Sequence, residues 1–347
     1  LLLVAHHLVV DGVSWRILAG DLAAAWERTA RGERIELPAV GTSLRGWARG
    51  LAVAAGDRAG ELPHWLSTVD TPAAPLGARR VDRARDTVAA QREHTLRLPA
   101  GDTRPLLTAV PEVFHAGVQD VLLAGLALAV REWRPATAEH GVLLRLEGHG
   151  REEHLVSGSD LTRTVGWFTT EYPVRLDPGG GDAATALKQV KEQLRAVPDA
   201  GAGYGLLRYL NPDTADRLAA APGPEILFNY LGRLATGDAT DWVAAPEGEH
   251  LGDGLDPAFP VAHPLEINAA TADLPTGPEL DIRIAYVEGI LTAADVTSLG
   301  ELWLAALARL RAAAEAPGGG GHTPSDLTLV TLSQDEIDEF EDEWRQL

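Results

Sequence analysis

The first fifteen residues, Leu1–Trp15, read LLLVAHHLVVDGVSW. Five apolar residues run directly into His6 and His7, and Asp11 and Gly12 follow before a helical pattern begins. A short apolar run that ends in polar residues and a glycine predicts a buried strand, which delivers its last side chains to a cavity. Imidazole titrates near neutral pH and can both accept and give a proton, so the two histidines predict proton transfer at this cavity.

The same residues allow two other interpretations. A single buried histidine is more often a satisfied core residue than a catalyst. Histidine and aspartate are also ordinary metal ligands. Adjacent strand residues point to opposite faces, however, so His6 and His7 would not normally share one ion. We therefore predict no metal site here.

Composition and charge narrow the class of protein. The 347 residues are 45% hydrophobic and 23% charged, which is typical of a globular protein that can bury one large core or two lobes. The net charge of −20 argues against nonspecific binding to nucleic acid and against attraction to an anionic membrane. No apolar stretch reaches the roughly 18 residues that a membrane-spanning helix needs. We therefore expect neither nucleic acid nor a membrane as a partner.

Two residue types are missing from the sequence. The chain has no cysteine, which excludes disulfides and thiolate chemistry and is compatible with a cytoplasmic enzyme. It also has no methionine, even at position 1, and it starts without the basic region of a signal peptide. We therefore expect a cytoplasmic protein, and a piece of a longer polypeptide that begins within a strand.

Periodicity and turn residues predict strands that alternate with helices. Ser14 is the predicted N-cap of the first helix, whose Trp15 and Trp26 are expected to face the core, and Ser43 precedes the second helix. Further helices are predicted at 118–133, 183–197 and 292–316, and strands at 93–98, 141–146, 163–176, 224–231, 264–270 and 279–286. This order indicates an α/β or α+β fold with two lobes. Seven acids between positions 335 and 343 predict a solvated tail.

The strand predicted at 141–146 also ends in ionisable residues, Glu147-Gly148-His149-Gly150-Arg151. Its two glycines let the backbone pass close to another group. Glu147 and His7 are 140 positions apart (147 − 7), so only the fold can bring them together.

Several of these stretches carry a family resemblance. HHLVVDGVSW resembles the HHxxxDG motif of the condensation-domain superfamily of nonribosomal peptide synthetases, and Ser14-Trp15 is similar to its epimerization branch. Other motifs of that branch follow in the same order: EGHGRE (Glu147–Glu152), VGWFTTEYPV (Val165–Val174), GYGLLRY (Gly203–Tyr209) and FNYLG (Phe228–Gly232). The ending SDLTLVTLSQDEIDEF also resembles the usual close of such domains.

The resemblance implies two lobes of the chloramphenicol-acetyltransferase type, arranged in a V around a central tunnel. Residues 1–160 would form the C-terminal part of the first lobe and carry HHxxxDG and EGHGRE. Residues 161–347 would form the second lobe and its acidic tail. Family members carry further residues before the HHxxxDG motif, so we expect this chain to lack the N-terminal part of its first lobe.

The epimerization branch removes the Cα proton of an aminoacyl or peptidyl thioester and returns it to the opposite face. The resemblance implies that His7 and Glu147 are the two acid/base groups, one on each side of that carbon. Tyr230 is a third candidate catalytic residue, which would donate its hydroxyl near the enolate, with Asn229 beside it in a supporting role. Strand alternation allows the alternative that one of these two neighbours simply faces the core.

Other motif residues are expected to support the site. In this superfamily the aspartate of HHxxxDG forms an ion pair that shapes the loop, so Asp11 should pair with Arg151 or, as second candidate, Arg145. His6 is expected to orient the loop rather than transfer protons, and His149 to lie outside the site. Trp167 and Phe168 are expected to pack rather than to contact substrate.

No cofactor of its own is predicted for this chain. The resemblance implies that the substrate arrives on the 4′-phosphopantetheine arm of a peptidyl carrier protein domain upstream, with adjacent synthetase modules as further partners. Two alternatives stay open. One is a condensation domain that joins two carrier-bound substrates. The other is a catalytically inactive module on which a carrier protein or a tailoring enzyme docks.

Overall fold

The computed structural model describes residues 1–71, 74–136, 138–235, 242, 254–327, 329–330 and 332–345. The helices are α1 (Gly12–Ala30), α2 (Leu44–Asp57), α3 (Leu62–Val69), α4 (Ala100–Leu107), α5 (Ala109–Phe114), α6 (Val118–Trp133), α7 (Ala183–Arg195), α8 (Ala202–Gly205), α9 (Pro212–Ala220), α10 (Ala293–Glu315) and α11 (Gln334–Arg345). The strands are β1 (Gln91–Leu98), β2 (Val142–Gly148), β3 (Thr170–Leu176), β4 (Ile226–Ala235), β5 (Leu265–Leu274) and β6 (Gly277–Val287). The predicted mixture of helices and strands is confirmed.

The six strands of the described residues form one mixed sheet in the order β1-β6-β5-β4-β2-β3. β4 runs parallel to β2 and to β5, and the remaining neighbours are antiparallel. The pairing of β5 with β6 confirms the two strands predicted at 264–270 and 279–286. The sheet takes strands from both sides of the boundary predicted near residue 160, and the division into two lobes stays a prediction.

Alternation along the strands gives the sheet a core face and a polar face. On β2, Leu146 is fully buried, and its register partners Tyr172 on β3 and Phe228 on β4 are buried too. Glu147, the next residue of β2, therefore projects from the opposite, polar face.

Helices α6 and α10 pack on the core face of the sheet. Every residue of α6 from Val121 to Val130 is buried. The indole N–H of Trp303 on α10 donates to the Leu122 carbonyl of α6 at 3.1 Å, so this buried ring keeps its hydrogen bond. Gly125 makes the close approach possible, because a Cβ at that position would lie 2.8 Å from the Leu307 side chain.

In the described residues no single helix is both long and apolar enough to span a membrane. One bent pair, Ala100–Phe114 with Val118–Trp133, meets the length and composition only when the two are taken together across a 98° bend.

The start of the chain differs from the prediction. The stretch Leu1–Ala5 forms no strand, and the side chains from Leu1 to Val4 are between 49% and 101% exposed. A strand needs a neighbour for its N–H and C=O groups, and within the described residues no strand pairs with this stretch. The N-cap of α1 is Asp11 rather than Ser14, because the Asp11 carboxylate accepts the Ser14 N–H at 2.7 Å.

Several further local predictions are corrected or confirmed. On α1, Trp26 is 65% exposed, so the prediction that it faces the core is wrong, whereas Trp15 is half-buried. Ser43 caps α2 as predicted. The strand predicted at 163–176 is shorter, since β3 begins only at Thr170. The acidic stretch is not simply a solvated tail, because it forms α11 and buries Ile337.

Candidate active site

His7 and Glu147 line the same cleft, which has a volume of about 580 Å³. His7 begins a single 3-10 turn, His7–Val9, directly before α1. Glu147 occupies the second-to-last position of β2, on the polar face of the sheet. The fold therefore brings into one cavity two ionisable groups that are far apart in sequence.

Glu147 has an unusual acidity for a carboxyl group. Burial in the cleft, with the negative charges of Glu171 and Glu266, raises its pKa to about 7, although His7 acts in the opposite direction. A carboxyl group with a pKa near 7 populates both its protonated and its ionised form at neutral pH. Such a group can either give or take a proton.

Asn229, and not Tyr230, contacts Glu147. The Asn229 Nδ2 atom donates to Glu147 Oε2 at 2.6 Å. Tyr230 projects from the core face of β4, where its hydroxyl lies 3.0 Å from the hydroxyl of the fully buried Thr271. The predicted place of Tyr230 in the site is therefore wrong, because strand alternation turns its side chain away from the cleft.

Asp11 and Arg151 form the predicted ion pair. Arg151 Nη2 lies 3.2 Å from Asp11 Oδ1, and the two side chains are only 10% and 4% exposed. The second candidate, Arg145, pairs instead with Glu171 at 2.9 Å, in the cleft itself. The choice of Arg151 is confirmed.

Hydrogen bonds from neighbouring groups surround most of this ion pair. Burial alone would raise the pKa of Asp11, but hydrogen bonds from Ser14 and Phe168 and the charge of Arg151 bring it below its ordinary value. Arg151 Nη1 donates to the carbonyls of Leu161 and Thr164, each at 2.8 Å, and only the buried Nε of this guanidinium has no partner among the described residues. A buried pair with this many partners fixes the geometry around it.

The segment 165–169, which we call the strap, is fastened to the start of the chain. The Ser14 hydroxyl donates to the Gly166 carbonyl at 2.9 Å and accepts the Gly166 N–H at 3.0 Å. The Phe168 N–H donates to Asp11 Oδ2 at 3.2 Å. Gly150 lies directly against the strap, since a Cβ built on it would be 1.6 Å from the Phe168 carbonyl oxygen. Only glycine fits there, at a φ of +65°.

Trp167 lies between the two fastened residues of the strap and turns toward the cleft. Its ring centroid is 5.0 Å from that of His7, and the side chain is 44% exposed. Trp167 therefore lines the cleft, and the expectation that it packs rather than contacts substrate stays a prediction. Phe168 is buried under the Arg151 guanidinium, whose carbon lies 4.1 Å from the ring centroid, and packs as expected.

The two other histidines of the motifs lie outside the cleft. His6 Nδ1 accepts the Leu8 N–H at 3.1 Å and so caps the short turn, which is consistent with its predicted role in orienting the loop. His149 Nδ1 accepts the Arg151 N–H at 3.0 Å, and its side chain is 61% exposed. In the described part of the chain, no group of three or more His, Asp or Glu side chains is placed to hold a metal ion.

The sequence interpretation missed several residues of the cleft. Arg145 and Glu171 line it as an ion pair, and Tyr204 lines it from α8. The signal for Glu171 is its register position opposite Glu147 on the neighbouring strand, which the sequence alone does not give. These residues make the cleft wall polar and charged on the side of the sheet.

The condensation-domain family model matches residues 1–289 of this chain. The chain is also similar to two subunits of the linear gramicidin synthase from Brevibacillus parabrevis, with 38% identity over 346 residues in one and 40% over 353 residues in the other. These matches include 97% and 98% of this chain, but only 7% and 4% of the two synthase proteins. The chain therefore spans a small part of the length of these relatives.

Solved structures show the same fold. The epimerization domain from the third module of tyrocidine synthetase B matches with a TM-score of 0.76 at 34% identity, over 90% of this chain and 69% of that domain's chain. The first condensation domain of the calcium-dependent antibiotic synthetase, in complex with a substrate analogue, matches with a TM-score of 0.60 at 21% identity. That second match covers 90% of this chain and 64% of the other, and it shows the fold alone.

Proposed function

This chain belongs to the condensation-domain family of nonribosomal peptide synthetases, and we propose that it epimerizes the Cα of an L-aminoacyl or peptidyl thioester. The product would be an L/D mixture for the incorporation of a D-residue. The observation that carries the proposal is the shared cleft of His7 and Glu147, in which the pKa of the carboxyl group is raised to about 7.

The reaction needs a base on one face of the α-carbon and an acid on the other. One of the two groups takes the Cα proton, and the electron pair of the C–H bond moves into the thioester carbonyl to give an enolate. The other group then gives a proton to the opposite face, and the carbonyl re-forms. After one turnover the two groups have exchanged protonation states, and exchange with water resets them. Glu147, whose pKa is raised to about 7, can hold either state near neutral pH, and an imidazole such as that of His7 is a common acid/base group in enzymes.

The substrate would be held on the 4′-phosphopantetheine arm of an upstream peptidyl carrier domain. Synthetases of this family work on carrier-bound substrates, and the long relatives of this chain are multidomain synthase subunits. The arm belongs to the partner, and this chain would supply only the cleft that receives it. We propose the adjacent modules of such a synthetase as further partners, in the cytoplasm.

The test is solvent-deuterium incorporation at Cα of a carrier domain loaded with one L-aminoacyl group. Wild-type protein should incorporate deuterium and yield the D-isomer without any acceptor substrate. His7→Ala and Glu147→Gln should each lower the rate by at least about 100-fold, the scale of a lost acid/base group. His140→Ala and Glu301→Gln are matched controls, because both side chains are exposed outside the cleft.

The same assay separates the two alternatives. Formation of a peptide bond only after a second loaded carrier is added, with no deuterium at Cα, would establish a condensation domain. Binding of the carrier without exchange or bond formation would establish a docking module. Full exchange by either single variant would remove that residue from the mechanism.

A further inference from the structure

The cleft has two chemically different sides. The sheet side carries charge, from Glu147, Arg145 and Glu171 on β2 and β3. The helical side is formed by α2 and by the π-helix Leu206–Leu210, and it is largely apolar. Binding sites of this kind commonly use a few polar groups to orient the ligand and an apolar wall to recognise its shape.

The α2 wall is rigid. Leu44, Trp47, Ala48 and Leu51 line the cleft from this helix. Trp47 is 3% exposed and belongs to a small buried cluster that Leu44 and Leu51 pack against. The helix is also capped, because the Ser43 hydroxyl accepts the Gly46 N–H at 3.1 Å. This wall therefore cannot easily adapt to a ligand of a different shape.

The facing wall is tied to the same helix. Leu206 is 4% exposed and lines the cleft from the π-helix. At the end of that π-helix, the buried Asn211 side chain donates from Nδ2 to the Ala55 carbonyl of α2 at 3.0 Å. This hydrogen bond joins the end of the π-helix to α2, so the two walls are held together at that point. A π-helix is rare and occurs most often at functional sites.

Apart from His7, the charged groups that line this cleft lie on the sheet side. Among its described lining residues, the charged or titrating ones other than tyrosine are His7, Arg145, Glu147 and Glu171. Arg145 and Glu171 already pair with each other. A charged substrate side chain placed against α2 and the π-helix would lose its water without gaining an oppositely charged partner, which is costly.

The pantetheine arm fits the helical side poorly for a related reason. Its two amides need several hydrogen bonds, and the side chains of Leu44, Ala48 and Leu51 offer none. Among the described residues, the helical side therefore provides only the Trp47 indole N–H and the Tyr209 hydroxyl. An aliphatic or aromatic side chain has no such requirement.

We propose that the gap between α2 and the π-helix receives the side chain of the residue being epimerized, and that this chain selects thioesters of apolar amino acids. The inference rests on the proposed function, because it assumes that the reacting α-carbon lies between His7 and Glu147. From there the sheet side contacts the thioester and its arm, and the apolar walls contact the side chain. Ala48 determines how large that side chain can be, since it is the smallest of the wall residues on α2.

Five loaded carrier domains test the substrate class, with L-Ala, L-Leu, L-Phe, L-Asp and L-Lys. Deuterium incorporation by wild-type protein should be fastest with L-Leu and L-Phe. The rate should fall about tenfold or more for L-Ala, because each methylene that is missing from an apolar pocket lowers the rate by about that factor. With L-Asp and L-Lys it should fall by about 100-fold or more. Equal rates across the series would overturn the inference and leave the proposed function standing.

A substitution on α2 tests the position of the pocket. Ala48→Trp should slow exchange with L-Leu and L-Phe about tenfold or more while leaving L-Ala nearly unchanged, because only the larger side chains compete with the new ring. Val53→Trp is the matched control, since Val53 lies on the same helix, is 76% exposed and does not line the cleft. Equal slowing of all substrates by Ala48→Trp would show that the arm occupies this wall and would overturn the inference. Absence of exchange with every substrate would overturn the proposed function and this inference with it.

Discussion

Asn229 donates a hydrogen bond to Glu147 at 2.6 Å across two neighbouring parallel strands. The bond reaches a carboxyl group whose pKa is raised to about 7, so it favours the ionised form against the effects of burial. Asn229 therefore supports the ionised form of Glu147, while burial, Glu171 and Glu266 favour the protonated form.

Asn229→Leu should lower the rate of deuterium exchange about tenfold or more and move its pH dependence to higher pH. The reason is that the ionised carboxylate loses a hydrogen bond, worth about 1.5–3 kcal/mol for a charged acceptor. The measurement is the exchange rate between pH 5 and 9. An unchanged pH profile would show that this hydrogen bond has no part in the reaction.

Tyr230→Phe should leave exchange within about twofold of wild type. Its hydroxyl bonds to Thr271 on the core face, so the loss should appear as about 1 kcal/mol of unfolding free energy instead. Urea denaturation and the exchange assay on the same preparation check both halves of this prediction. A large loss of exchange rate with an unchanged free energy of unfolding would show that Tyr230 takes part in the reaction after all.

Glu147→Gln should stabilise the protein at pH 8 and have little effect at pH 5. A carboxyl group with a folded-state pKa of about 7 stabilises the fold fully below its ordinary pKa, and this contribution is lost as the pH rises through 7. The rise of this pKa from 4.5 to about 7 sets an upper limit of about 3 kcal/mol. Thermal unfolding at both pH values measures the effect, with Glu301→Gln as the control. Equal melting temperatures at pH 8 would mean that Glu147 is not buried as described.

Arg151→Met should destabilise the protein by about 3–5 kcal/mol, because it leaves the buried Asp11 carboxylate without its charged partner. Arg151→Lys should recover only part of this loss, since one ammonium group cannot replace a guanidinium fork that bonds to several carbonyls. Arg145→Met is the comparison, because its partner Glu171 is 41% exposed and such pairs contribute about 1 kcal/mol or less. Urea denaturation should show the largest loss of unfolding free energy for Arg151→Met, a smaller one for Arg151→Lys and the smallest for Arg145→Met. Equal losses for Arg151→Met and Arg145→Met would contradict this prediction.

Trp167→Ala should lower the maximal exchange rate more than it changes the apparent affinity for the loaded carrier, because the His7 ring loses the neighbour that holds its orientation. Trp167→Phe should restore most of the rate, since a smaller ring can still contact the tilted His7 ring. NMR provides an independent check, as the ring-current shift of the His7 Cε1 proton should disappear in the alanine variant. A persistent shift would mean that the two rings are not in contact.

Local sequence patterns predicted most of the helices and strands of this chain, but they could not predict which strands pair with each other. The β5–β6 pair and the buried helix α6 follow from alternation and from apolar spacing over a dozen residues or more. The apolar run at Leu1–Ala5 has the composition of a strand, yet a strand also needs a neighbour, which is a non-local condition. The same limit explains the shortened strand before Thr170, where hydrogen bonds to Ser14 and Asp11 replace sheet pairing.

The candidate site residues also divide into those that a local motif marks and those whose position depends on non-local contacts. The motifs identified His7, Glu147 and the Asp11–Arg151 pair, because each is marked by residue type and by its place after a predicted strand or loop. They could not decide between Asn229 and Tyr230, since that choice depends on the register in which Phe228 lies beside Leu146. The cleft residue Trp167 was missed because its direction is set by contacts of its two neighbours with a segment about 150 positions away.

The close approach of Gly150 to the Phe168 carbonyl has a consequence for how this chain tolerates sequence change. A single added methyl group at position 150 would clash with the Phe168 carbonyl and displace the strap, together with Trp167. The His7 imidazole would then lose its contact with Trp167, although neither His7 nor Glu147 had been substituted. We therefore expect any substitution of Gly150 to inactivate the domain as fully as loss of His7 or Glu147, while leaving every ionisable side chain in place.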